Sequence, residues 1–454
     1  MRIIIVGAGE VGFHIAQRLS SENKEVLVID RDASALKRVS EQLDVQFIQG
    51  SGSSPKVLEE AGIKGADILL AVTDSDETNL IACFFANSLA PHLTKVARIR
   101  NEEYTDYQKA LARDILNINM VINPEVETVR SVMHLINTPG VREVNEFAEG
   151  RIQLLGIQLD EKSPLAGTGL TDLRDFFGKV NVIIGAIVRD DRLIIPSGAD
   201  TLKGGDLLYF VCDKNHRNEV LRRFGFPAKP LRAILIIGGG NIGLRLAQAL
   251  DSKQYNVKLV ESDPLRSQYL SAKLDRPVVL LGDGTDQELL EEENIKSMDL
   301  VIALTGDDET NVLSCLLSRS LGTRKTIARV NKFPYMPLVQ AIGVEHIVST
   351  RLSAINSILH SIRRGKVLST VSIKGEEAEV MEAVALDKSN IVDRPIKDID
   401  FPSGALILAV LRGEEVIIPT GDFVIHPEDR IIIISTRKNV THVERQLMVK
   451  LEYI

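Results

Sequence analysis

The chain has 454 residues, 44% of them hydrophobic, with 54 basic and 62 acidic side chains and a net charge of −8. That is the composition of a folded globular protein long enough for about three domains, and its acidic balance excludes nucleic-acid or anionic-lipid binding driven by bulk charge. No apolar run approaches the roughly 18 residues of a membrane span, and with aromatics at 4% and no Trp, base-stacking platforms are not expected.

The chain enters a core strand at once, so no signal peptide is expected. Cys83, Cys212 and Cys315 are too dispersed for metal or redox spacing. Both point to the cytoplasm.

Strands are predicted at 2–6, 26–30, 45–48, 67–72 and 95–99, separated by helical patterns such as Gly12 to Leu19. Alternation of this kind means a parallel sheet with helices on both faces. The first turn is Gly7-Ala8-Gly9-Glu10-Val11-Gly12. In a G-x-G-x-x-G turn between strand and helix, the first glycine permits the bend. The second admits a pyrophosphate, and the third lets helix and strand pack closely. The helix then directs unpaired N–H groups at the phosphates. Asp30 closes the second strand, 23 positions after Gly7. A carboxylate there accepts from ribose hydroxyls and repels a 2′-phosphate.

Three more places in this module are candidate contacts. Gly50-Ser51-Gly52 follows the third strand, where glycines would let backbone approach a ligand, or simply form a tight turn. Thr73 and Asp74 follow the fourth strand, at the edge where such sheets bind ligands; Ser75 or Asp76 would cap the next helix. Arg98 ends the fifth strand and would meet phosphate bidentately or pair with a nearby acid. Asn123-Pro124-Glu125 then starts a helix carrying the apolar stripe Val126, Val129, Met133 and Ile136, which either covers its own sheet or crosses to a neighbour.

From about 143 to 224 short β-rich runs replace the alternation, at 152–157, 182–188 and 207–211, giving a small α+β unit. Phe226-Pro227-Ala228-Lys229-Pro230 reads as a stiff linker.

The whole plan then repeats. Ala233 to Ile237 leads into Gly238-Gly239-Gly240-Asn241-Ile242-Gly243, and Glu261 stands 23 positions after Gly238. Thr73 to Asn79 returns as Thr305 to Asn311, displaced by 232 positions, and Arg98 returns as Arg329. Gly50 and Ser51 correspond to Gly282 and Asp283, and Asp74 corresponds to Gly306. The small unit recurs as well, Ile194-Ile195-Pro196 matching Ile417-Ile418-Pro419. The predicted fold is α/β: two Rossmann-like doubly wound parallel-sheet domains, each followed by a small α+β domain. The expected boundaries are 1–140, 141–226, 231–365 and 366–454. The helix stripes, with Leu352, Ile355, Leu359 and Ile362 as the second copy, are candidate surfaces for a partner chain.

A dehydrogenase of this plan needs a second domain with a general acid or base and a substrate clamp. The small units share no such residue: His216 lies in one, His426 and His442 at unmatched positions in the other. No helix-turn-helix or basic face supports a transcriptional regulator.

The module order, the two glycine loops with Asp30 and Glu261, and the segments Thr73–Asn79 and Ala97-Arg98 with their second copies resemble the cytosolic regulatory subunits of Trk potassium uptake systems. Those carry two RCK (regulator of potassium conductance) modules, and the resemblance covers nearly the whole chain. It implies binding of NAD(H), with ATP or ADP as further ligands, at both Rossmann-like domains, and a regulatory lobe in each small domain. It also implies a non-enzymatic homo-oligomer, a tetramer, on the cytoplasmic face of the inner membrane, whose partner is the membrane subunit of a Trk-type potassium transporter. A nicotinamide-dependent oxidoreductase is the alternative. Gly306 against Asp74 and Ser51 against Asp283 imply unequal ligand preference at the two sites.

Overall fold

A computed structural model describes residues 1–22, 24–101, 103–104, 116–138, 140–178, 182–226, 231–344, 346–362, 367–374, 377–387 and 389–447. The linker expected at 226–230 lies, after its first residue, outside the described residues.

The first module runs β1 (Arg2–Val6), α1 (Glu10–Ser21), β2 (Glu25–Asp30), α2 (Ala33–Gln42), β3 (Gln46–Gln49), α3 (Pro55–Glu60), β4 (Ile68–Ala71), α4 (Asp76–Leu89), β5 (Thr94–Arg98), β6 (Met120–Ile122) and α5 (Pro124–Asn137). Ile3 to Val6 are all buried, as expected of a central strand covered on both faces. The strands are parallel in the order β3-β2-β1-β4-β5-β6. The order reverses between β1 and β4, and the carboxyl ends of strands at such a switch point are where sheets of this kind take ligands. The short strand β6 was not expected. Its three residues are too few to show an alternation of their own.

The first small domain comprises β7 (Glu143–Phe147), β8 (Ile152–Gln158), α6 (Leu173–Phe177), β9 (Ile183–Arg189), β10 (Arg192–Ile194), β11 (Leu207–Asp213) and α7 (Arg217–Arg223). Its antiparallel sheet has the order β10-β9-β11-β8-β7.

The second Rossmann-like module repeats the first: β12 (Ala233–Ile237), α8 (Asn241–Ala249), β13 (Asn256–Glu261), α9 (Pro264–Lys273), β14 (Val278–Leu281), α10 (Gln287–Glu292), β15 (Leu300–Ala303), α11 (Asp308–Ser320), β16 (Thr326–Arg329), α12 (Met336–Ala341), β17 (His346–Val348) and α13 (Thr350–Ile362). Its order, β14-β13-β12-β15-β16-β17, matches the first sheet strand for strand. The second small domain follows with β18 (Val367–Ile373), β19 (Ala378–Val384), β20 (Ala405–Arg412), β21 (Glu415–Ile417), β22 (Arg430–Thr436) and α14 (Val440–Leu447). It forms a sheet in the order β18-β19-β22-β20-β21.

Like modules associate with like. One compact unit holds Met1–Met133 with Leu231–Ile362, and the other holds His134–Pro230 with Arg363–Ile454. In the first unit, α13 of the second module buries Ala354, Ile355 and Ile358 in the core of the first, among Val11, Ile15 and Val28, with Leu359 packed against it. This corrects the expectation that the stripe presents a surface to another chain. Ile355 and Leu359 are used within the chain, Ile136 is buried, and Leu352 and Val126 are the members left exposed. The side chain of Ile362 lies outside the described residues. In the second unit, Leu154, Ala186, Tyr209 and Val211 share one core with Val380, Leu408, Ile432 and Ile434. Arg430 crosses that junction, donating to Glu382 and, at 2.7 Å, to Glu149.

Candidate functional site: two glycine-loop clefts

Each cleft begins at the end of the central strand. Gly7 has φ +112° and Gly238 φ +99°, a backbone region where side chains are strained. A Cβ on Gly12 would lie 1.8 Å from the Gly7 carbonyl oxygen, and one on Gly243 would lie 2.0 Å from that of Gly238. The third glycine therefore serves the helix–strand approach in both copies. The second glycine behaves differently. A Cβ on Gly9 or Gly240 would meet nothing within 4 Å. Each caps its helix with extended backbone and no side-chain hydrogen bond, leaving the first-turn N–H groups to solvent or ligand. Val11 and Ile242 bury their side chains beneath the loops.

The acids reach the loops themselves. Asp30 accepts from the Ala8 N–H at 2.6 Å through one oxygen and from the Asp32 N–H at 2.9 Å through the other. Glu261 does the same with Gly239 at 2.8 Å and Asp263 at 2.9 Å. The longer glutamate is accommodated by Gly239, since a Cβ there would fall 2.8 Å from the Glu261 carboxylate and 2.3 Å from Leu270. Ala8 suffices beside the shorter aspartate.

The turn after the third strand is built for packing. A Cβ on Gly50 would press Val57 at 2.9 Å, and one on Gly282 would press Leu289 at 2.5 Å. A Cβ on Gly52 would fall 2.0 Å from the Val6 side chain, and one on Gly284 would fall 2.1 Å from that of Ile237, so neither has room for a side chain. Ser51 bonds Ser53 at 2.8 Å. Asp283 accepts from the Thr285 N–H and hydroxyl, and these bonds hold its carboxyl below the usual carboxylate range.

The loop after the fourth strand is pinned from within. The Thr73 N–H and hydroxyl both donate to Asn79 Oδ1, and Asn79 Nδ2 donates to the carbonyls of Thr73 and Arg98. Thr305 and Asn311 repeat the pattern, with Asn311 reaching the Arg329 carbonyl at 3.0 Å. The threonine hydroxyls are thus committed to shaping the loop, while Ser75 and Asp307 cap α4 and α11. Asn79 and Asn311 were not singled out from the sequence, although they close the duplicated motif. Asp76 is a candidate cap in the sequence, and its buried counterpart Asp308 has no role assigned there. In the structure they accept backbone N–H bonds from Arg100 and Asn101, and from Asn331 and Lys332, respectively.

The clefts differ in charge at the sheet edge. Arg98 donates to Asp74 at 2.9 Å, so the ion-pair alternative describes it. Gly306 offers Arg329 only a carbonyl, at 3.3 Å, while the Nε of Arg98 and of Arg329 alike is buried without a hydrogen-bond partner among the described residues. Burial holds the Arg329 guanidinium below the ordinary arginine range, with Asp308 and Glu125 opposing the shift. Two further arginines escaped the sequence reading. Arg266 donates to the Gly239 carbonyl at 2.8 Å, with its Nη2 left without a hydrogen-bond partner among the described residues. Arg38 lies 4.0 Å over the Phe13 ring and donates to Glu10 at 2.5 Å. Both sit on the helix after the acid and face the glycine loop. That position, a basic residue within two turns of the acid, was the available signal.

Among the described residues no cluster of His, Cys, Asp and Glu could hold a metal ion. Burial pushes the thiols of Cys83, Cys212 and Cys315 up to about 12, so they are packing groups. No helix among the described residues is long and apolar enough to cross a membrane. The clefts offer N–H donors, a carboxylate and arginines, a set suited to binding a phosphorylated ribose compound.

The fold and clefts define a tandem pair of Rossmann-type domains, each linked to a small antiparallel partner domain. The TrkA-N domain family matches residues 3–124 and 234–350, and the TrkA-C domain family matches 154–225 and 380–448. The chain belongs to the Trk system potassium uptake protein TrkA family. It is 37% identical to that protein of Azorhizobium caulinodans over 457 residues, covering 100% of both chains, and to that of Vibrio alginolyticus over 449 residues, covering 98% of each. The fold is also that of the GsuK channel bound to NAD, with a TM-score of 0.62 and 19% identity over 98% of this chain and 78% of the other. The GsuK RCK domain gives a TM-score of 0.60 at 20% identity, covering 98% and 94%.

Proposed function

We propose that this chain is the nucleotide-sensing regulatory subunit of a Trk-type membrane potassium uptake system, with NAD(H), ATP or ADP as effectors. The observation that supports the reading most is the pairing, in both clefts, of an unfilled second glycine with an acid hydrogen-bonded to the loop N–H. The effector binds two conformations unequally, and the difference in affinity moves the attached pore. In this reading the protein is a homotetramer held on the cytoplasmic face of the membrane by its pore partner. The nucleotide is not consumed, and the functional domains are 1–140, 141–226, 231–365 and 366–454. The contact set proposed for the first cleft is Gly7 to Gly12, Asp30, Gly50, Ser51, Thr73, Asp74 and Arg98. For the second it is Gly238 to Gly243, Glu261, Gly282, Asp283, Thr305, Gly306 and Arg329.

The test is potassium flux through the reconstituted pore, with and without this subunit, across NADH, NAD, ATP and ADP. Flux that responds to at least one nucleotide only when the subunit is present is the expected result. Flux indifferent to all four, alongside steady oxidation or reduction of a substrate by the purified chain, would replace this reading with an oxidoreductase.

A further inference from the structure

Each glycine loop touches the crossing helix of the other module, and the start of that helix is tied to the strand-end loop of the other cleft. From the first cleft, Glu10 of the glycine loop lies 3.9 Å from Arg351 at the start of α13. Arg351 donates to the Asn331 carbonyl at 3.4 Å, and Thr350 N–H donates to Asn331 Oδ1 at 3.0 Å. The Asn331 N–H in turn donates to buried Asp308 at 2.8 Å, and Asp308 is the first residue of α11, directly after the Thr305-Gly306-Asp307 loop of the second cleft. The rings of His14 on α1 and Phe333 meet edge to face with centroids 4.5 Å apart, adding an apolar contact beside these bonds.

The reverse path uses equivalent positions with different residues. Asn241 and Arg245, on the second glycine loop and helix, face Glu125 at the start of α5, at 3.4 Å and 3.6 Å. The N–H of Glu125 donates to Asn123 Oδ1 at 3.0 Å, and Asn123 Nδ2 donates to the Arg100 carbonyl at 3.1 Å. Arg100 N–H donates to buried Asp76 at 2.9 Å, next to the Thr73-Asp74-Ser75 loop of the first cleft. The side chains exchange sign between copies: an acid on the loop meets a base on the helix in one, and a base meets an acid in the other.

We propose that the two clefts are energetically coupled through these crossed helices, so that a ligand in either one alters the strand-end loop of the other. An anion at the first glycine loop competes with Glu10 for Arg351 and Arg38. Arg351 is 41% exposed in its side chain, but its hydrogen bond to the Asn331 carbonyl, and that of the Asn331 N–H to buried Asp308, carry a shift of Arg351 to the second cleft. Linkage then requires the reverse effect to be of equal size. This rests on the reading of both clefts as nucleotide sites.

The test uses NADH and amide hydrogen exchange on the full chain. Gly240→Leu fills the open space at the second loop, so that NADH enters only the first cleft. Protection at 7–12 reports binding there, and a change of about fivefold or more in exchange at 303–311 reports coupling. Adding Arg351→Ala is expected to abolish the remote change while protection at 7–12 persists at saturating NADH. Should that variant fail to fold, the reverse arm decides: Gly9→Leu closes the first cleft, exchange at 71–79 is read, and Glu125→Ala is expected to remove the signal. Protection at the occupied loop with no remote change, or a remote change undiminished by both helix substitutions, overturns the coupling alone. No protection at either loop overturns the nucleotide reading together with it.

Discussion

Gly9 and Gly12 are three positions apart and have opposite physical roles. Gly9 has ordinary negative φ and open space around its Cα, whereas a Cβ on Gly12 would overlap the Gly7 carbonyl at 1.8 Å. Gly9→Ala is therefore expected to leave the thermal midpoint unchanged while weakening nucleotide binding at the first cleft. Gly12→Ala is expected to cost about 3 kcal/mol of stability, as overpacking against backbone does. Calorimetry and thermal unfolding of the two variants side by side would show it, and equal effects on both readouts would contradict the assignment. Asp30 carries a second test. It accepts from the Ala8 N–H and, in the proposed reading, from the ribose, so Asp30→Ala is expected to weaken adenine-ribose ligands at that cleft by about 1.5–3 kcal/mol. Titration calorimetry giving unchanged affinity would refute that role.

At the scale of elements, the junctions between like modules are held by charges that cross them. Glu382 is 3% exposed in its side chain and is paired with Arg430, which also reaches Glu149 of the other small domain. Arg430→Ala removes the cation from a buried carboxylate and is expected to destabilise the second unit by about 3 kcal/mol in denaturant titrations. A loss within error would show that the carboxylate is satisfied without it. The crossing of α1 by α13 has a pH signature. Burial raises the Glu10 carboxyl, but the Arg38 hydrogen bond and the charges of Arg38, Arg351 and His14 outweigh it and hold it below its ordinary value of 4.5. For an acid with a depressed folded value, the stabilisation is present above the ordinary range and lost as pH falls through the folded value. The expected outcome is an acid limb of the stability–pH curve that flattens in Glu10→Gln, measured by chemical unfolding from neutral pH downward. An unchanged acid limb would remove Glu10 from that account.

For the whole molecule, the pairing of like modules leaves assembly to surfaces other than the buried face of α13. That helix spends Ile355, Ile358 and Leu359 inside the chain. The proposed homotetramer predicts a light-scattering mass of about four times the 50.0 kDa chain at working concentration. A monomeric mass would refute it. In the proposed reading, Arg98 hydrogen-bonded to Asp74 and Arg329 with no acid hydrogen-bonded to it among the described residues predict stronger binding of added phosphate charge at the second cleft, which calorimetry with ADP and ATP on the single-cleft variants would check.

The duplicated plan, the parallel sheets and the glycine loops with their acids were legible in the chain because each is a local pattern. Apolar strand runs, glycines at fixed spacing and a carboxylate one strand later need no distant residue to be recognised. The sequence also displayed Asn79, Asn311, Asp76 and Asp308, but not their work. Their distant partners lie 18 to 25 positions away, on backbone N–H and carbonyl groups. The fate of the helix stripes was beyond local reading for a different reason. An apolar face at helical spacing states that it must be buried and says nothing about against what. Only the tertiary structure sends α13 into the first module's core, sets Arg351 beside Glu10 and Glu125 beside Arg245, and so joins two clefts that the sequence presents as separate copies.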